Sequence, residues 1–231
     1  MKLETLPSRD KAIERATMLF IEKLEAHPKH AVGLATGSTM DGVYRLLKEL
    51  RYIPKTQHAF ALDNYEGIEP DHKNSYLTEL TEKFAKGLGW KGTLHVPGTG
   101  EYLHVGGPED FELALKTHGP VSAQLLGLGT NGHIAFNEPG STFDSRTRVV
   151  RLAEQTRSDN ARFFGKGESV PTHAVTQGLS TIRQATSLIL IVLGERKRPA
   201  LLKALETPGP EVPLAALLDH PDITLVTDLD L

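Results

Sequence analysis

The chain of 231 residues predicts an α/β fold, an open and mainly parallel sheet flanked by helices. Three observations carry this. Strand-like and helix-like stretches alternate along the chain. The strand-like stretches are apolar throughout, as strands buried on both faces are, and residues 187–193, SLILIVL, are the strongest of them. Polar clusters stand where the strands end, the edge at which such sheets bind ligands.

The elements follow in order. Residues 8–26 read as an amphipathic helix, with Ile13, Ala16, Phe20 and Leu24 at helical spacing and Ser8 as N-cap. A short apolar run at 30–35 leads through the loop TGST into a helix at 41–50. Another apolar run at 58–62 precedes a polar loop and a helix around 75–86. Pro108 suits the first turn of a helix running to Leu115. Residues 121–128 are strand-like and end in Gly129. After the strand at 187–193 come a helix at 196–205, a helical stretch at 214–218 and a strand at 223–226. No repeat, low-complexity tract or linker interrupts the chain, so residues 1–231 read as a single domain.

Composition excludes several classes of function. The net charge is −3, from 26 basic and 29 acidic residues, which argues against bulk binding to nucleic acid or an anionic membrane. The chain has no cysteine, so disulfides, thiolate nucleophiles and Cys-ligated zinc are impossible. Its charged start has no signal-peptide core, and no apolar run reaches the roughly 18 residues needed to span a bilayer. The expectation is a soluble cytoplasmic protein.

Three strand ends carry candidate chemistry: after Ala35, after Leu62 and after Leu128. At the first, Thr36, Gly37, Ser38 and Thr39 lie between a strand and a helix, where backbone N–H groups make an anion site and the two hydroxyls add donors. The segment is neither GxGxxG nor a P-loop, so no nucleotide is indicated. Taken alone it reads equally as a tight turn with a Ser/Thr cap. Arg162 and Lys197 are candidate cations for a phosphate, although single charged side chains are mostly solvated. At the second strand end stands Asp63, whose burial at a cleft mouth would raise its pKa and make it a useful base; alone, Asp63-Asn64 reads as the start of a turn. At the third, Asn131, His133 and Glu138 follow a glycine-rich strand end. A nearby carboxylate can fix the tautomer of His133 and raise its basicity, and the alternative is a glycine-rich loop with a structural histidine. One histidine with scattered carboxylates is a poor metal site.

Together these stretches resemble the glucosamine-6-phosphate deaminase family. GHIAFNEPGS at 132–141 is nearly a family signature; GLATGST at 33–39, LDNYEG at 62–67, SRTRV at 145–149, TRSDNARFF at 156–164, LGERK at 193–197 and the late His220-Pro221 support it, in the family's order across nearly the whole chain. The resemblance implies a single Rossmann-like domain with no nucleotide, other cofactor or metal, acting on a small-molecule sugar phosphate. It implies conversion of glucosamine 6-phosphate and water to fructose 6-phosphate and ammonia. Asp63 would move a proton from C2 to C1, His133 would open the pyranose ring, and Asn131 and Glu138 would orient His133 and tune its proton affinity. Thr36, Gly37, Ser38, Thr39, Arg162 and Lys197 would hold the phosphate, and residues 150–170 would form a mobile lid.

Departures from the family pattern matter. Asn131 stands where many members carry Asp, and Asn64 where Glu is frequent. Regulated members bind an acetylated sugar phosphate at a second site and have a longer C-terminus; here Ser141 and Arg148 remain but Val150 replaces a lysine of that site. The resemblance therefore implies no activation by N-acetylglucosamine 6-phosphate and a monomer or small homo-oligomer. Two rival readings are a 6-phosphogluconolactonase-type hydrolase and a non-catalytic sugar-phosphate sensor. The lactonases typically read GDGHTASLFPG where this chain has residues 131–139, and the FNEP portion at 136–139 favours the deaminase. Such sensors usually carry a helix-turn-helix ahead of the domain, for which this chain has no spare segment.

Overall fold

The computed structural model describes residues 1–98, 107–207, 209 and 211–231. Its first element, β1 (Lys2–Thr5), leads into α1 (Arg9–Ala26), which Ser8 caps by accepting from the Lys11 N–H. Then follow β2 (Ala31–Leu34), α2 (Ser38–Glu49), β3 (His58–Ala61), β4 (Asp63–Tyr65) and α3 (Tyr76–Leu80), whose helical path continues in wider turns through Thr81–Lys86. The middle of the chain supplies β5 (Thr93–His95), α4 (Pro108–His118), β6 (Val121–Gly127), β7 (Arg148–Arg151) and α5 (Glu154–Asn160). The last part gives β8 (His173–Thr176), α6 (Leu179–Ile182), β9 (Ser187–Val192), α7 (Arg198–Glu206) and β10 (Ile223–Thr227).

Seven strands form a wholly parallel sheet in the order β1-β10-β9-β6-β2-β3-β5. The pattern of burial explains why the central strands read so clearly. Every residue of β2, β9 and β10 is buried, so no polar residue marks an outward face. Helix α1 packs over β6, β9 and β10 and against α2. One apolar core joins these elements, with Phe20, Phe60, Leu125 and Leu126 fully buried within it.

Two differences from the sequence expectation have physical causes. Helix α2 begins at Ser38 rather than Asp41, because Gly37 adopts φ +100°, a conformation that L side chains rarely take, and turns the chain straight into the helix. Ser38 and Thr39 are thus its first turn. A second, antiparallel sheet, β4-β8-β7, stands beside the main one. Its strands are three or four residues long, too short for periodicity to reveal, and it covers a small apolar cluster of Tyr65, Phe136, Leu152, Val170 and Ala174. No helix among the described residues is long and apolar enough to cross a membrane.

The strand order fixes where a ligand can sit. From β2 the chain proceeds to β3 and β5 on one side; from β6 it proceeds to β9 and β10 on the other. The crevice beyond the carboxyl ends of β2 and β6 is the switch point of the sheet, the place where open α/β sheets bind ligands. Leu126→Ala, fully buried near the end of β6, is expected to lower stability by about 2–5 kcal/mol, read from the urea midpoint of unfolding.

Candidate active site

Loops after four neighbouring strands meet at this crevice. Lys197 follows β9, His133 follows β6, residues 36–39 follow β2 and Asp63 follows β3. Four adjacent strands span three spacings, about 14 Å, the scale of a small phosphorylated sugar. Together they line one cavity of about 590 Å³, which also takes in Tyr65, Glu79 and Arg162. Every expected phosphate residue (Thr36, Gly37, Ser38, Thr39, Arg162 and Lys197) is on its wall, as are Asp63 and His133.

Asp63 sits where the chain passes from one sheet to the other. Leu62 donates its N–H to the Leu34 carbonyl in the main sheet and accepts from the Gln177 N–H, while Asp63 itself pairs with Thr176 in the small sheet. The side chain is therefore held on a rigid junction, 7% exposed. Burial, with the Glu79 carboxylate adding to it, pushes its pKa up from 3.8 to about 8.

Asn131 and Glu138 do not line the cavity; they stand behind His133 as a relay. The Asn131 amide Nδ2 donates to Glu138 Oε2 at 2.7 Å, and Asn131 Oδ1 faces His133 Nδ1 at 2.7 Å. A carboxylate only accepts, so Glu138 fixes the orientation of the amide, and the amide oxygen in turn fixes a proton on His133 Nδ1. Neutral His133 is left with an accepting Nε2. Direct contact with Glu138 is longer, 3.8 Å. The expected rise in basicity is outweighed: burial lowers the His133 pKa, Glu138 opposes it, and Lys197 adds to the lowering. The imidazole also lies against Gly129, where a Cβ would come within 2.3–2.5 Å of three ring atoms. Only glycine leaves room for the ring there.

The FNEP stretch has a structural task. Asn137, fully buried, donates to the Ile134 and Gln177 carbonyls and accepts from Arg148, which fastens the loop to the end of β8. This fixes Glu138 beside Asn131. Arg148 and Ser141 are hydrogen-bonded to each other and lie outside the cavity lining.

A group of cations gathers around Lys197. Lys197 is held down at about 8 by burial first and then by repulsion from Arg9 and Arg162, with Asp228 opposing. Sequence reasoning missed Arg9, which looks like one more exposed charge on α1. Its guanidinium donates to the Ser38 carbonyl at 3.4 Å, which fixes it at the 36–39 turn. Among the described residues Arg162 stacks on the Phe163 ring at 4.8 Å. Residues 150–170 are not one loop. They hold the end of β7, then α5, whose Thr156 reaches His133 Nδ1, whose Asp159 accepts from Thr130 and whose Asn160 donates to Tyr65. Ala153, just before α5, donates to Glu138.

The family model described as glucosamine-6-phosphate isomerases/6-phosphogluconolactonase matches residues 8–226. The chain belongs to this family. Among its relatives, the glucosamine-6-phosphate deaminase of Rhodopirellula baltica is 38% identical over 99% of this chain and 93% of its own length. That of Corynebacterium urealyticum is 43% identical over 85% of this chain and 79% of its own. Among family structures, a monomeric glucosamine-6-phosphate deaminase superposes with TM-score 0.89 at 32% identity, covering 98% of this chain and 97% of that one. A 6-phosphogluconolactonase from Shewanella baltica shares the fold, with TM-score 0.76 at 15% identity.

In Asn131→Asp a second carboxylate would stand between Glu138 and His133. The expected outcome is an upward move of the His133 pKa in an NMR titration; no move would mean that the two carboxyl groups share a proton instead.

Proposed function

We propose that this protein is a glucosamine-6-phosphate deaminase, converting glucosamine 6-phosphate and water to fructose 6-phosphate and ammonia by general acid–base catalysis. The observation that carries the reading is the convergence, from four adjacent strands, of a basic buried carboxylate, an imidazole of fixed tautomer and a cationic cradle on one cavity. The deaminase names of full-length relatives support it.

The steps follow from these groups. Nε2 of His133 takes the proton from the O1 hydroxyl and delivers it to the ring oxygen, which opens the pyranose and exposes the C1 aldehyde. The aldehyde acidifies the C2 proton, and the Asp63 carboxylate removes it to give an enolamine. Asp63 returns the proton to C1. The resulting C2 imine adds water and releases ammonia, leaving the ketone. Burial makes Asp63 basic enough for the C–H step, and the positive charge of a C2 ammonium favours its ionised form on binding. The phosphate, held by residues 36–39, Lys197, Arg162 and Arg9, is remote from the changing bonds and serves orientation. Residues 150–170 act as the lid through their cavity end: Arg162 and Phe163 close over the phosphate while α5 stays fixed. We further propose a cytoplasmic monomer or small homo-oligomer, which light scattering tests.

The deciding experiment is a coupled ammonia assay with glucosamine 6-phosphate and no added cofactor. Release of acid from 6-phosphogluconolactone without ammonia would instead favour the lactonase, and ligand binding with neither reaction a sensor. In the deaminase, kcat/KM is expected to pass through a maximum near pH 8, rising as Asp63 ionises in the free protein and falling as Lys197 loses its proton. Asp63→Asn is expected to keep sugar-phosphate binding and to lose exchange of the C2 hydrogen in heavy water. Arg9→Gln is expected to raise KM several-fold with kcat nearly unchanged, and to weaken inhibition by inorganic phosphate to the same degree. N-Acetylglucosamine 6-phosphate is expected to leave the rate curve unaltered; a sigmoidal curve made hyperbolic by it would refute this.

A further inference from the structure

Away from the cavity, three imidazoles gather at β3 and β5. The parallel register pairs Phe60 with His95. Paired residues share a face of a sheet, as do residues two apart along a strand, so His58, Phe60 and His95 stand together. Helix α4 lies over them. Phe111 meets Phe60 edge-on with centroids 5.7 Å apart, and His118, two turns further along α4, stacks on His58 at 4.0 Å. His58 Nδ1 and His95 Nε2 are 3.0 Å apart. One ligating nitrogen from each of the three rings lies within 4.8 Å of the others. His95 is buried and the other two are half-buried.

We propose that His58, His95 and His118 form a binding site for a divalent transition-metal ion of the Zn²⁺ or Ni²⁺ type, separate from the substrate cavity. The donor set selects the ion class: imidazole nitrogens suit zinc, nickel and copper, whereas magnesium and calcium require oxygen ligands. The spacing fits too. Metal–nitrogen bonds of about 2.0–2.1 Å place two nitrogens on one ion about 3.0–3.3 Å apart, and the His58–His95 pair already meets that distance. The ion takes the place of the proton the two rings share, and the ring that gave it up carries it on its other nitrogen, so both stay neutral. The His118 ring plane lies 17° from that of His58, so His118 turns about its side-chain torsions to point a nitrogen at the ion. It is at the end of α4 with solvent on one side, and water completes the coordination.

None of the three histidines lines the cavity, and Asp63 is five residues beyond His58, about 16 Å along an extended chain. The bound ion therefore takes no part in catalysis. It clamps the C-terminal end of α4 to β3 and β5 at the side of the sheet. Sequence reasoning looked for ligands around His133 and could not see this group, since its members are scattered over three elements.

The test is calorimetric titration of the chelator-stripped, untagged full-length protein with Zn²⁺ at about pH 7.5, where ordinary imidazoles are neutral. The wild type is expected to take up one equivalent and to unfold at a higher temperature with it. His118→Ala is expected to bind at least about tenfold more weakly, with turnover of glucosamine 6-phosphate unchanged. His27→Ala, in the other stacked histidine pair, is expected to bind as the wild type does. Cobalt(II) absorption bands should appear in the wild type and fade in His118→Ala. Uptake indifferent to His118→Ala, or lost equally in His27→Ala, or absent from the wild type, would overturn the proposal. Because His118 is half-exposed, its variant stays informative even if His58→Ala fails to fold.

Discussion

The pairing of β2 with β6 is the constraint from which the rest follows. These strands lie side by side and parallel, yet the chain leaves them in opposite directions across the sheet. Their following turns must part, and the gap cannot be closed by a crossover. The 36–39 turn after β2 and the histidine loop after β6 form its two walls. Neighbours β3 and β9 add a carboxylate and an ammonium at fixed spacing, because parallel hydrogen bonding sets the distance between one strand end and the next.

Within that frame, polarity is conveyed through an amide. A carboxylate in direct contact with His133 would tend to raise its proton affinity and draw it toward the charged form. Asn131 passes on direction without passing on charge. Glu138 can receive only the amide N–H, so the oxygen faces the ring and the proton location is settled. Glu138 and Asn137 are neighbours in sequence and divide the work: Asn137 ties the loop to the strand behind it, and Glu138 orients the amide.

Much of the fold was legible because fully buried strands announce themselves. Three of the seven main strands, β2, β9 and β10, are buried at every position, and their largely apolar runs were the easiest to recognise. β1 was not legible: at the edge, with Lys2 and Glu4 on either side of a half-exposed Leu3, it looks like any polar segment. The small sheet escaped for a different reason, since three residues such as Asp63–Tyr65 show no period. Among the site residues, short motifs at strand ends led to one cavity. What spacing could not reveal was the order of contact among residues 131, 133 and 138, where the amide lies between the other two. Nor could it separate Arg9 from the solvated charges around it, because proximity to Ser38 arises only when α1 and α2 pack together.

If Lys197 holds the phosphate as proposed, its depressed ammonium makes ligand capture an acid–base event. In the free protein, three like charges crowd one corner, and near its pKa of about 8 the lysine is protonated only part of the time. Under the proposed binding, an arriving dianion would relieve that crowding and restore the lysine's hold on hydrogen ions. Above neutrality, capture would thus withdraw a fraction of a hydrogen ion from the surrounding buffer, and the heat of association would vary with the buffer's own ionisation enthalpy. The corner would consequently be a weaker trap in alkaline solution, quite apart from anything that happens at the carbon atoms.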